Sequence, residues 1–471
     1  MNKTDKKPGN RTVIDAHGGT YELKHKLGEG GQGMVCTTQY PNVLVKVSKR
    51  PSSDPRTQSW HSHIQWISRQ ALEGLHIAAP RALIVKPRLG YVMELMDGLE
   101  SLKPILDQSL QAMQAGDGLK GFMVSGGVSR RVRLLARLAR SLASLHGRGL
   151  AYGDLSPANI FVSRSHEHQE VWLIDCDNIC VLSREGEREI HTPGYGAPEI
   201  MRSDSGINSL TDSWSFGVMA FQLLTLIHPL EGDMVADWEP ELVEKVALRG
   251  DLPWVDHPTD DRNRTSRGLP REQVLTLRLR DCFEQCFNAG LNDPGARPSM
   301  ATWAEAFEAA AMLLVDCDVE EGCGSSFLFN PRRQCPFCDH IQAPERFLLM
   351  HHYIYAPLDE LGEGAKAKDQ WARTSDLQLL ALDKTVELHS SPVGSCTYTE
   401  SPVVARLELK DEGLWIEPLS SLILTLQREG GIKAERVKQR MLLKAVWKKD
   451  HRMILHLGDP EKLHATWRFH W

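Results

Sequence analysis

The stretch Leu150-Ala-Tyr-Gly-Asp154-Leu-Ser-Pro-Ala-Asn159-Ile-Phe-Val162, followed after a polar hairpin by Val171-Trp-Leu-Ile-Asp175-Cys-Asp177, decides how this chain is read. Asp154, Asn159 and Asp175 each stand at the end of a short apolar run. Phosphoryl transfer needs a carboxylate to orient the attacking hydroxyl and oxygen ligands for the metal ions that neutralise phosphate charge, and these residue types supply both.

Upstream, Tyr21 to Cys36 alternates like a strand and then opens into Gly28, Gly30 and Gly33, a Gly-x-Gly-x-x-Gly pattern that lets backbone approach phosphates. Taken alone it is equally a hairpin turn. The next run, Pro41-Asn-Val-Leu-Val-Lys46-Val, reads as a strand with a lysine among apolar residues, and such a charge wants an anionic partner. Residues 57–75 are expected to form a helix. Glu73 is the one acid between Asp54 and Glu94, so it is the candidate partner of Lys46, with a surface helix-end position as the competing reading. His61 and His63 have a metal-pair spacing but read better as packing on a Trp/Ile-containing helix. Two further strands follow, Ala82–Val85 and Gly90–Leu95. Val132, Leu135, Leu138, Leu142 and Leu145 recur at helical spacing within Ser129–His146, directly before the stretch quoted first.

With these parts in order, residues 21–315 resemble the eukaryotic-type protein kinase family, whose lysine sits on a strand after the glycine loop rather than within it. The resemblance implies Asp154 as catalytic base, Asn159 and Asp175 as ligands of magnesium (manganese being the other candidate ion), and Lys46 on the ATP phosphates. It places Gly28, Gly30, Gly33 and Val35 over the nucleotide, Met93 at the back of the adenine pocket, and Glu94 and Met96 at the adenine edge. His191-Thr192-Pro-Gly-Tyr-Gly-Ala-Pro-Glu199 is similar to the end of a serine/threonine-kinase activation segment, with Thr192 in the substrate loop. Asp212-Ser-Trp-Ser-Phe-Gly217 is similar to the start of the family's central buried helix. Arg297 matches the arginine that pairs with the glutamate of Ala-Pro-Glu, here Glu199.

Three departures stand beside these matches. Tyr152-Gly153 replaces the His-Arg before the base, Ser156 replaces the lysine two residues after it, and Asp175-Cys-Asp177 replaces Asp-Phe-Gly. The missing arginine implies activity that does not depend on an activation-loop phosphate. The missing lysine removes a charge that would stabilise the transferring group.

Beyond residue 315, Cys317, Cys323, Cys335 and Cys338 crowd together, four of the ten cysteines of the chain. The tight Cys335-Pro-Phe-Cys338 knuckle resembles one side of a zinc ribbon, which implies structural zinc; Cys317 is the loosest ligand and His340 its substitute. Cys282 and Cys286 share one face of an expected helix and read as core. From Leu377 to Trp471 some seven short strands with polar turns imply a small β-sandwich. An interaction or scaffolding role fits it; the layout is faintly similar to forkhead-associated phosphothreonine readers, without their Gly-Arg and Ser-x-x-His pair.

Bulk properties narrow the function classes. The 471 residues suggest about three domains, and a net charge of -6 gives no global basic field for nucleic acid or an anionic membrane. The N-terminus lacks the apolar core of a signal peptide, and ten cysteines without one point to a reducing cytoplasm.

The expected fold is therefore α+β: a mobile tail at 1–20, a β-rich lobe at 21–97, a helical lobe at 98–315, a zinc-ribbon-like segment at 316–344, a linker at 345–376 and a β-rich interaction domain at 377–471. The combination resembles bacterial serine/threonine kinases of tellurite-resistance-associated systems, which implies protein substrates and, as partners, a metal-dependent protein phosphatase and a von Willebrand A-domain protein. The expected function is an ATP- and Mg-dependent serine/threonine protein kinase, also autophosphorylating, in bacterial signalling or stress response. The alternative is a pseudokinase or scaffold that binds ATP or partners without efficient transfer.

Overall fold

In the computed structural model, residues 12–94, 96–182, 191–318, 323–389, 402–431 and 434–471 are described. Two compact units divide between Phe307 and Glu308.

The first unit opens with seven antiparallel strands: β1 Thr12–Asp15, β2 Thr20–Glu22, β3 Lys26–Glu29, β4 Gly33–Thr37, β5 Val43–Ser48, β6 Ala82–Lys86 and β7 Gly90–Glu94. Their order in the sheet is β2-β1-β6-β7-β5-β4-β3. The expected tail at 1–20 is thus corrected, because Thr12–Asp15 pairs with both β2 and β6; Val13 is buried and joins Val45, Val47, Ile84 and Val92 in the core of this lobe. Residues 1–11 lie outside the described residues. Register carries most of the positioning: β5 lies between β4 and β7, so Lys46 stands opposite Val35 on one side and Tyr91 on the other. Helix α1 spans Pro55–Ile67, with Asp54 capping Arg56 N and proline in the first turn, where its missing N–H costs nothing.

The helical lobe follows the short strand β8 (Leu99–Ser101) with α2 (Leu102–Gln114), α3 (Gly118–Val124) and α4 (Gly127–Gly147). The five apolar residues that marked α4 in the sequence are all buried. Short strands β9 (Leu150–Ala151), β10 (Ile160–Ser163), β11 (Val171–Leu173) and β12 (Cys180–Val181) carry the loops between them, followed by α5 (Pro198–Met201) and α6 (Ser209–Thr225). Asn208 caps α6 in a reciprocal box with Thr211. Trp214, Phe216 and Phe221 from α6 are fully buried against Phe283, Phe287 and Trp303. Cys282 and Cys286 lie in the same core, and burial pushes their thiols up to about 11 and about 12.

The second unit begins with a two-stranded ribbon, β13 (Leu314–Asp316) and β14 (Ser326–Leu328). It continues with β15 Phe347–Tyr355, β16 Trp371–Ala381, β17 Thr385–His389, β18 Val403–Lys410, β19 Gly413–Pro418, β20 Leu424–Arg428, β21 Ala434–Arg436, β22 Met441–Lys444, β23 Arg452–Leu457 and β24 His464–His470. A six-stranded sheet of order β16-β15-β24-β23-β20-β21 and a four-stranded sheet of order β17-β18-β19-β22 share a core of Leu348, Met350, Leu407, Ile416, Leu455 and Trp467. The expected linker at 345–376 is corrected: β15 is the second strand of the larger sheet and pairs with both β16 and β24. The ribbon is not a separate body either, since Val315, Phe327 and Cys335 pack with Phe347 and Leu379 in one cluster.

Candidate active site

Lys46 is the natural starting point, because a buried ammonium is costly unless anions meet it. Its side chain is 5% exposed, and Nζ donates to Asp175 Oδ1 at 2.5 Å and to Asp177 Oδ2 at 2.7 Å. Burial alone would lower the Lys46 ammonium; the carboxylates of Asp177 and Asp175 outweigh it and hold it well above the ordinary lysine value. Glu73, the partner suggested by sequence, is exposed in the segment after α1, where its backbone oxygen accepts from Arg148. The acid at Lys46 comes instead from the turn Cys176–Asn178, which Asp175 enters in the left-handed region at φ 58°.

Asp154 and Asn159 are brought together in the loop between β9 and β10. Asn159 Nδ2 donates to Asp154 O at 2.9 Å and to Asp154 Oδ2 at 3.2 Å. With its nitrogen so engaged, the amide oxygen of Asn159 is the atom available as a ligand. Asp154 Oδ1 accepts from the hydroxyl of Thr192 at 2.7 Å. Burial raises the Asp154 carboxyl; the Thr192 and Asn159 bonds oppose the rise and the nearby Asp175 adds to it.

The loop is fixed from beneath by Asp212 at the start of α6. Its carboxylate accepts from Tyr152 N at 2.6 Å, Gly153 N at 2.9 Å and His146 Nε2 at 2.9 Å. Tyr152 is fully buried and its phenol donates to Ile174 O, tying the loop to the strand that presents Asp175. Gly153 has φ 92°, and a Cβ there would stand 2.9 Å from Asn178 O, so backbone packing leaves no room for an arginine at this place. Ser156 is 1% exposed and its hydroxyl has no hydrogen-bond partner among the described residues; it cannot replace a lysine's charge in the cleft. Arg297 forks onto Glu199 with two bonds of 2.7 Å.

Between the lobes, Leu27, Gly28, Val35, Leu44, Ala78, Tyr91, Met93, Phe161 and Ile174 line a cleft of about 130 Å³ that also takes in Lys46 and Asp175. An apolar slot with an ammonium and a carboxylate among its walls suits a flat heterocycle joined to phosphates and a cation. Of the sequence-derived nucleotide residues, Gly28, Val35, Lys46, Met93 and Asp175 line this cleft. Gly30, Gly33, Glu94 and Met96 do not. Gly33 serves sheet packing, since a Cβ there would meet Val47 O at 2.6 Å, and Glu94 faces Arg81 at 3.6 Å. Sequence reasoning missed Asp177, Trp60 and Tyr91, which form one buried network with Lys46: Trp60 Nε1 and Tyr91 OH each donate to the Asp177 carboxylate at 2.8 Å. The available signals were a helix without an acid and an aspartate in the place of a glycine.

In the second unit, the Sγ atoms of Cys317, Cys323, Cys335 and Cys338 all lie within 4.8 Å of one another. Cys317–Cys338 and Cys323–Cys335 are 3.6 and 3.7 Å apart. That is far beyond a disulfide and close to the edge, about 3.8 Å, of a tetrahedron with Zn–S bonds of about 2.3 Å. His340 is not in the group and pairs with Asp318 at 2.8 Å. His63 stacks on Trp66 at 5.4 Å, and the described residues bring no third ligand to His61 and His63.

A family model described as protein kinase domain matches residues 21–304. Myosin light chain kinase A of Dictyostelium discoideum is 24% identical over 234 residues, covering 48% of this chain and 72% of that protein. The serine/threonine-protein kinases pkn2 and Pkn1 of Myxococcus xanthus are 26% and 25% identical over 46% and 48% of the chain. The chain spans only 25% and 31% of those two proteins' own lengths. Among the described residues no helix is long and apolar enough to cross a membrane.

Proposed function

The chain belongs to the protein kinase family, and on that premise we propose that it transfers the γ-phosphate of ATP, with magnesium or manganese, to serine or threonine of protein substrates. The observation that carries this reading is the 2.7 Å bond from the Thr192 hydroxyl to Asp154, which sets an alcohol donor on the candidate base. Asp154, its proton affinity raised by burial, orients and deprotonates such a hydroxyl. Asn159 and Asp175 hold the metal, Lys46 holds the nucleotide phosphates, and the apolar walls around Met93 exclude water from the base-binding end. When bound, Mg-ATP supplies the phosphoryl group and the charge neutralisation that transfer requires. The serine/threonine kinase relatives and Thr192-Pro-Gly-Tyr195 support that class of acceptor.

The buried Ser156 favours the second reading, a nucleotide-binding scaffold with weak transfer. Labelled ATP separates the two. Asp154→Ala should cut transfer to the chain itself or to a generic protein by roughly 100-fold or more. Equal signal in both forms, or none in either despite ATP binding, overturns the enzyme reading.

The cysteine geometry supports structural zinc, and one metal per chain is expected by elemental analysis, with less than about half an equivalent counting against it. Resemblance of the motif set to tellurite-resistance-associated kinases supports a bacterial cytoplasmic signalling role with a metal-dependent phosphatase and a von Willebrand A-domain partner. Co-purification with those two proteins tests it.

A further inference from the structure

In the general kinase arrangement the strand lysine is oriented by a glutamate on the neighbouring helix. Helix α1 here reads Pro-Arg-Thr-Gln-Ser-Trp-His-Ser-His-Ile-Gln-Trp-Ile and has no acid to offer. What it offers is Trp60, and the indole N–H bonds not to the lysine but to an acid on the other side of it. Asp177 is 1% exposed and receives three donors from three elements: Lys46 of β5 at 2.7 Å, Trp60 of α1 at 2.8 Å and Tyr91 of β7 at 2.8 Å. A desolvated carboxylate with this many fixed donors is held in one place. Asp175 differs: its side chain is 35% exposed toward the cleft, and it bonds Lys46 at 2.5 Å.

We propose that Asp177 is the positioning residue for Lys46, standing in from the turn after Asp175 for the acid that α1 lacks, with Trp60 and Tyr91 orienting its carboxylate. The inference rests on the nucleotide-binding part of the reading above. Asp175 is then free to leave the lysine for a metal ion without stranding the ammonium. Helix α1 acts on Lys46 through the indole of Trp60, so Lys46 orientation and the turn that follows the metal-ligand strand form one assembly. The two departures in sequence, an acid missing from α1 and an acid replacing the glycine of Asp-Phe-Gly, become one compensated exchange.

The experiment is calorimetric Mg-ATP affinity of the full chain, with transfer kinetics alongside. Asp177→Asn should weaken Mg-ATP binding by roughly ten- to hundredfold, the worth of a charge-assisted hydrogen bond. KM for ATP should rise with it, while KM for the protein acceptor stays within about twofold, a split that general loosening of the fold would not give. Trp60→Phe and Tyr91→Phe keep the packing, remove one donor each and should weaken binding by a few-fold, so the idea remains testable if Asp177→Asn folds poorly. In a Lys46→Met background Asp177→Asn should change affinity by less than about twofold, because a residue acting through Lys46 has nothing left to act on. Parent-like affinity in Asp177→Asn, or in both phenylalanine variants, overturns the proposal, as does a full additive loss in the Lys46→Met background. Affinity is read without turnover, so a parent chain that binds Mg-ATP but transfers nothing would fail the enzyme reading and leave this comparison intact.

Discussion

Two buried ion clusters sit in the first unit and are built on opposite plans. Arg297 and Glu199 are each 4% exposed and carry one charge apiece. Two bonds of 2.7 Å join them, Arg297 also donates to Gly290 O at 2.8 Å and Leu210 O at 3.1 Å, and its guanidinium lies 4.8 Å from the Trp214 ring centre. The cluster is neutral, and four of the five guanidinium N–H groups are bonded within it. Lys46 instead faces two carboxylates, Asp177 and Asp175, one sealed and the other looking into the cleft. One ammonium against two acids leaves negative charge over, and a site in deficit of cations is one that a metal ion can complete. The closed cluster fixes the loop that ends in Ala-Pro-Glu; the open one is fitted for a ligand.

Cutting the closed cluster should give the largest stability effect. Arg297→Ala leaves Glu199 buried without its counter-charge, and the expected loss is about 3–5 kcal/mol in urea unfolding of the full chain. The paired replacement Arg297→Met with Glu199→Leu should restore most of it, because a buried pair is worth little more than apolar groups of similar volume. A double variant as unstable as Arg297→Ala would mean that the surrounding carbonyls of Gly290 and Leu210, not the pair, need the guanidinium.

The same contrast explains what could be read without coordinates. Glu199 and Arg297 were legible although 98 positions apart, because each sits in its own recognisable local pattern. The partner of Lys46 was not, because α1 carries no acid and the next one along the chain, Glu73, lies beyond its end. Only the approach of β5 to the turn at Cys176–Asn178 shows that the acid had moved to Asp177. Strand β1 was hidden by its four-residue length beside a charged terminus. Strand β15 was hidden by the run Met350-His-His-Tyr353, where three polar-tipped rings in succession break any apolar alternation, and by a partner as remote as Phe469. Helix α4, by contrast, declares itself through spacing alone, as amphipathic elements do. Long-range pairing is where periodicity has nothing to say.

The open cluster makes a smaller and opposite prediction. The Asp175 carboxyl is raised above its ordinary 3.8 by burial first and by Asp177 second, with Lys46 pulling the other way. An acid whose folded value is raised contributes stability that is fully present below the unfolded value and is lost as the pH climbs through the folded one. At neutral pH and without metal, ionised Asp175 therefore costs stability. Asp175→Asn should make the metal-free chain more stable at pH 7 by no more than about 1 kcal/mol, water in the cleft screening the exposed part of the charge. The gap should close as the pH falls through the raised folded value, where the parent carboxyl regains its proton, and be gone below the unfolded value of about 4. Phosphotransfer should fall sharply in the same variant, and millimolar magnesium with ATP should raise the melting temperature of the parent more than that of Asp175→Asn. If Asp175→Asn is instead less stable at pH 7, Asp175 is a second closed partner of Lys46 in the manner of Glu199, and the surplus charge that marks this cluster as a ligand site is not there.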